Sequence, residues 1–114
     1  MRVEGQIQGA VAQGIGYALT EEVAVHEGHN ATRSLGEYLV PTALDVPDVE
    51  AAVLERHPGK GPLGARGIGE PPIGPPAPAL AAAIEDATGT RLDTLPMTPE
   101  RVLAALARPA GGGA

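Results

Sequence analysis

The chain has 114 residues, the size of one domain, with a formal charge of −6 and no cysteine. Its eight basic residues are scattered, which excludes a nucleic-acid footprint, and the lack of cysteine excludes disulfides and thiolate metal sites. Two Tyr with no Phe or Trp leave a core of Ala, Val, Leu and Ile, and 16 Gly with 12 Pro leave little regular chain to build one, so the sequence reads as a piece of something larger.

In chain order, Ile7, Val11, Ile15 and Ala18 recur at helical spacing and predict a helix over residues 5–22. Gly9, Gly14 and Gly16 lie inside it, each costing about 1 kcal/mol relative to Ala. Such a cost points to close approach of another backbone or of a bound group. "HEGHNATRSLG" is a polar, turn-rich connection. Pro41 and Pro47 then break the next stretch, and "VEAAVLE" at 49–55 is its best strand candidate, with a short helix as the competing reading. Residues 57–78 show no apolar period and form a long Gly- and Pro-rich loop of the kind that carries function. "APALAAAIEDATG" predicts a second helix with Leu80, Ala83, Ile84 and Ala87 on one face and Gly89 as its stop. Thr98 as N-cap and Pro99 at the first helical position open a third, whose buried stripe is Val102, Leu103 and Leu106. The architecture is α/β (α+β): three helices with short strands over residues 1–107, then a flexible tail over 108–114. No apolar run nears the roughly 18 residues of a membrane span, and no basic region followed by an apolar stretch opens the chain. The expectation is a cytoplasmic protein with no membrane and no nucleic-acid partner.

Several motifs fail on spacing. "GKG" at 59–61 has Leu54 where a phosphate loop needs its first glycine, and Gly61 where it needs Ser or Thr. "GARGIG" at 64–69 lacks the dinucleotide-binding spacing. His26, His29 and His57 suit solvated loops better than a metal site. The lone Ser34 stands in no nucleophile elbow. What remains is Glu70, set between Gly64, Gly67 and Gly69 on one side and Pro71 and Pro72 on the other. The glycines let backbone amides approach a ligand, and the prolines fix the exit of the loop. A carboxylate held there suits a general base.

Five blocks, "GQIQGAVAQGIGYALTEE", "YLVPTALDVP", "GARGIGEPP", "AAAIEDATG" and "LPMTPERVLAAL", resemble in order, spacing and wording the C-terminal part of the molybdopterin-binding large subunit of the xanthine dehydrogenase and aldehyde oxidase family. The resemblance covers residues 3–106. It implies a segment of a larger molybdopterin-binding domain, with Glu70 as the catalytic base, Gln6 beside the cofactor, and Ala65, Arg66, Gly67, Ile68 and Gly69 meeting the cofactor through backbone groups. It further implies a molybdenum hydroxylase acting on a heterocycle or an aldehyde with oxygen from water. The cofactors would be molybdenum-molybdopterin, with iron-sulfur clusters and FAD on other domains or subunits, and the partners the rest of the large subunit. The upstream contacts of that subunit are absent, so the chain alone is expected to be inactive. A non-catalytic remnant or interaction module is the competing expectation.

Overall fold

In the computed structural model, residues 2–108 are described. Helix α1 spans Arg2–Leu19, and an antiparallel hairpin pairs β1 (Val25–His26) with β2 (His29–Asn30). Single 3₁₀ turns follow at Pro62–Gly64 and Pro71–Ile73, then α2 at Pro76–Thr88 and α3 at Pro99–Leu106. The expected tail lies outside the described residues except for Arg108, which is exposed.

Helix α1 begins and ends three residues earlier than its periodicity suggests. It stops at Leu19 because the amides of Thr20 and Glu21 both fold back onto the carbonyl of Gly16 at 2.8 Å. The Thr20 hydroxyl then donates to the carbonyl of Leu39 at 2.7 Å, drawing the following loop across the end of the helix. Gly16 permits this: a Cβ there would overlap the Glu21 carboxylate and lie 2.7 Å from Cδ of Pro41. Tyr38 adds a bond from its hydroxyl to Glu21 Oε2 at 2.7 Å. That bond, with partial desolvation and repulsion from the same carboxylate, holds the phenol above the usual tyrosine range.

Packing centres on Ala18, Ala77 and Met97, which are 0%, 7% and 2% exposed, with Tyr17, Leu80, Ala81, Ile84 and Leu92 against them. Helices α1 and α2 meet where Gly14 faces Pro76, and a Cβ at Gly14 would stand 2.5 Å from the proline ring. Pro76 occupies the first turn of α2, where its missing N–H leaves no bond unmade. Gly89 ends α2 at φ 68, in the left-handed conformation that glycine adopts without strain. Met97 N–H donates to the Ala18 carbonyl at 2.7 Å and fastens the entrance of α3 to the end of α1. Thr98 caps α3 as the sequence suggests, accepting from the Arg101 amide.

Three expectations need correction. Residues 49–55 form no strand: no other segment among the described residues pairs with them, and Pro47 removes an amide just upstream. The strands lie instead in the polar connection, around a Glu27-Gly28 turn in which both φ values are positive, 49 and 79, as in the tight turns that suit hairpins. On α2 the packed face is Ala77, Leu80, Ala81 and Ile84, while Ala83 and Ala87 are exposed. On α3, Leu103 and Leu106 are 68% and 46% exposed rather than buried. They border an open apolar groove of about 470 Å³ shared with Leu19, Ile84, Met97 and Val102. The accessible surface of 9050 Å² far exceeds the roughly 5,800 Å² of a closed monomer of this mass, so the chain does not wrap its own apolar residues.

Two of the α1 glycines make opposite predictions. Gly14→Ala is expected to destabilise by about 1–3 kcal/mol, because the ring of Pro76 cannot swing aside. Gly9→Ala, whose Cβ meets nothing within 4 Å, is expected to stabilise by up to about 1 kcal/mol. Urea titration followed by helical circular dichroism reads both. For Tyr38, deprotonation would place a phenolate beside the Glu21 carboxylate. The contact therefore stabilises below the ordinary tyrosine range and is lost as pH rises through the raised value. Glu21→Gln should bring the Tyr38 titration back down in an ultraviolet pH titration.

Candidate functional site

Glu70 is the residue just ahead of the Pro71–Ile73 turn, with helical φ −93 and ψ −38 and an exposed side chain. Its carbonyl accepts from the Ile73 amide at 3.1 Å, which closes the turn. Pro71 and Pro72 carry no N–H, so the turn has few bonds of its own. The Tyr17 hydroxyl supplies one from outside, donating to the Ile73 carbonyl at 2.9 Å with the Gly74 carbonyl at 3.5 Å.

On the other side of Glu70, a Cβ built on Gly69 would lie 3.8 Å from Oε1 of Gln6. The first helix and the glycine loop, more than sixty positions apart in the chain, thus place the amide of Gln6 and the residue before the acid side by side. A glutamine amide can donate and accept at once, which suits a polar heterocycle. The amides of Arg66, Gly67, Ile68 and Gly69 donate to no backbone carbonyl among the described residues. A Cβ on Gly67 would meet nothing within 4 Å. This stretch is an open row of donors, suited to a ligand rich in acceptors.

Upstream, the loop is folded tightly on itself. Gly59 N–H donates to the Gly64 carbonyl at 2.8 Å, and Gly64 N–H to the Gly61 carbonyl at 3.0 Å. A Cβ on Gly59 would collide with the Ala65 carbonyl oxygen and lie 2.5 Å from Cγ of Arg66. The Arg66 guanidinium reaches the Pro58 carbonyl at 3.2 Å.

Arg66, Gly67 and Ile68 line a cleft of about 690 Å³ with Ile7 of α1, Val53 and His57. Glu70, Gln6, Ala65 and Gly69 stand outside that lining. The Ala65 carbonyl packs over Gly59 and Gly61. The cleft therefore takes the middle of the predicted loop, while Gln6, Gly69 and Glu70 gather beside it. Sequence reasoning did not anticipate that residues 52–55 would form the opposite wall. The signal was their apolar character next to a glycine loop, read instead as a strand. Among the described residues, no three His, Cys, Asp or Glu side chains converge as a metal site. His26 and His29 face each other across the hairpin, and His57 lies in the cleft.

The molybdopterin cofactor-binding domain family matches residues 1–47. The chain is 40% identical over 101 residues to the putative xanthine dehydrogenase molybdenum-binding subunit XdhA of Escherichia coli K12, covering 87% of this chain and 13% of that one. It is 41% identical to an aldehyde oxidoreductase of Megalodesulfovibrio gigas, over 93% of this chain and 12% of the relative. Among solved structures, quinoline 2-oxidoreductase from Pseudomonas putida 86 superposes with a TM-score of 0.85 at 40% identity, over 94% of this chain and 14% of that chain. The chain thus spans about an eighth of the length of the relatives it matches.

The loop's dependence on a bare backbone at Gly59 is testable. Gly59→Ala is expected to push the Ala65 carbonyl and Arg66 aside and open the 59–66 turn. Limited trypsin digestion should then cleave after Lys60 and Arg66 several-fold faster than in the unaltered chain, with cleavage at Arg91 unchanged.

Proposed function

Since the chain belongs to the xanthine dehydrogenase and aldehyde oxidase family, as a segment of its molybdenum-binding subunit, we propose that it contributes the active-site base and part of the cofactor wall of a molybdenum hydroxylase. The enzyme would hydroxylate a heterocycle or an aldehyde with oxygen from water. The observation that carries this reading is the convergence of Gln6 with Gly69 directly beside Glu70.

The residues fit a molybdopterin group. The free amides of Arg66 to Gly69 face no competing backbone acceptor, and Gly67 leaves room for close approach. Gln6 and these amides would hold the pterin edge through hydrogen bonds. When bound, the molybdenum centre supplies the Lewis acid and the two-electron acceptor of the reaction. Glu70 accepts a proton at a carboxylate oxygen as the new carbon–oxygen bond forms. Its backbone is fixed by the closed 3₁₀ turn, which limits the arc its side chain can sweep. The open groove beside Leu103 and Leu106, and the exposure of Glu70 itself, fit a chain whose site is closed by the rest of the subunit. Electrons would leave through iron-sulfur clusters and FAD on other domains or subunits.

The test is co-expression with the remainder of the molybdenum-binding subunit encoded in the same genome. The chain should co-purify with that remainder and with molybdenum. In the assembly, Glu70→Gln should keep metal content and lose about 10²–10⁴-fold in turnover. Purification without a large-subunit partner or molybdenum would leave the non-catalytic remnant as the better reading, and an unchanged rate in Glu70→Gln would remove Glu70 from the mechanism.

A further inference from the structure

Resting on the reading of Glu70 as the base, we propose that Tyr17 is its positioning residue, holding the exit of the acid's turn from α1. Gln6 and Tyr17 are 11 positions apart, about three turns at 3.6 residues per turn, so they project from the same face of α1. One end of that face lies beside Gly69, the residue before the acid, where a built Cβ would stand 3.8 Å from Gln6 Oε1. The other end meets the exit of the acid's turn, where the Tyr17 hydroxyl donates to the Ile73 carbonyl at 2.9 Å.

The segment needs that outside hold. Pro71, Pro72 and Pro75 have no N–H, so of residues 70–75 only Glu70, Ile73 and Gly74 can donate from the backbone. The Ile73 amide is spent on the Glu70 carbonyl, closing the turn at 3.1 Å. Among the described residues, the only side-chain hydrogen bonds to this stretch come from the Tyr17 hydroxyl. Two bonds in series therefore run from α1 to the acid's backbone: Tyr17 to the Ile73 carbonyl, then the Ile73 amide to the Glu70 carbonyl. The ring of Tyr17 is seated independently of its hydroxyl, against the Ala18, Ala77 and Met97 cluster. Packing and positioning are thus separable in one side chain, since phenylalanine keeps the first and removes the second.

Tyr17→Phe tests this with two readouts. In the full chain, hydrogen–deuterium exchange should quicken about fivefold at Ile73, the worth of one net hydrogen bond, with the α1 and α2 amides unchanged. In the assembly with the remainder of the subunit, kcat should fall roughly 10- to 100-fold at unchanged KM and molybdenum content, the mark of a displaced reacting group. Unchanged exchange at Ile73, or exchange rising equally over α1 and α2, overturns the proposal. So does unaltered turnover in Tyr17→Phe while Glu70→Gln is inactive. If Glu70→Gln keeps full turnover but Tyr17→Phe still releases Ile73, the role of Glu70 as base has failed while the Tyr17 clamp stands.

Discussion

The missing side chain at Gly14 sets the distance between α1 and the entrance of α2, and most of the fold follows from that distance. With Pro76 seated where a Cβ would be, Ala18 and Ala77 come close enough to bury small methyl groups, and Met97 fills the space they leave. The same approach brings the Tyr17 hydroxyl within reach of Ile73. Pro76 belongs to the proline-rich start of α2. Its ring supplies the surface against which α1 rests at Gly14. A helix that pays a propensity penalty for its glycines thus gains a close contact that no larger residue would permit.

The elements read from the sequence are those whose signals are local. Thr98 and Pro99 at the start of α3, and Gly89 after α2, act within a turn of their own positions, and the structure places them as caps and stop. The α1 period was legible, but its end was not. The stop at Leu19 comes from bonds folding back onto Gly16 and from a partner loop, which no window of sequence contains. Residues 49–55 failed for a related reason, because a strand requires a neighbour and alternation alone does not supply one. Val102, Leu103 and Leu106 are apolar at helical spacing, yet burial depends on what lies opposite, and here the groove is open.

The site divides in the same way. Glu70 stood out because glycine and proline bracket it, a local feature with a mechanical meaning. Gln6 carried no such mark and entered only through resemblance, yet the fold brings its amide oxygen beside Gly69. Tyr17 was hidden more thoroughly, since a tyrosine on the apolar side of a helix reads as packing. Only the fold shows that its hydroxyl reaches past the packed ring to carbonyls 56 and 57 positions away.

The fastening of Met97 to the Ala18 carbonyl, with the Arg101–Glu22 pair beside it, spans 79 positions of chain. Contacts of such separation raise the contact order, and chains dominated by them fold more slowly than those stitched by neighbours. In synthesis α1 precedes α3, so the Met97 amide that bonds the Ala18 carbonyl becomes available only once the residues leading into α3 have been made. During that interval the Ala18 end of α1 lacks the Met97 partner that covers it in the folded chain, and it is left open to association with another part of the protein.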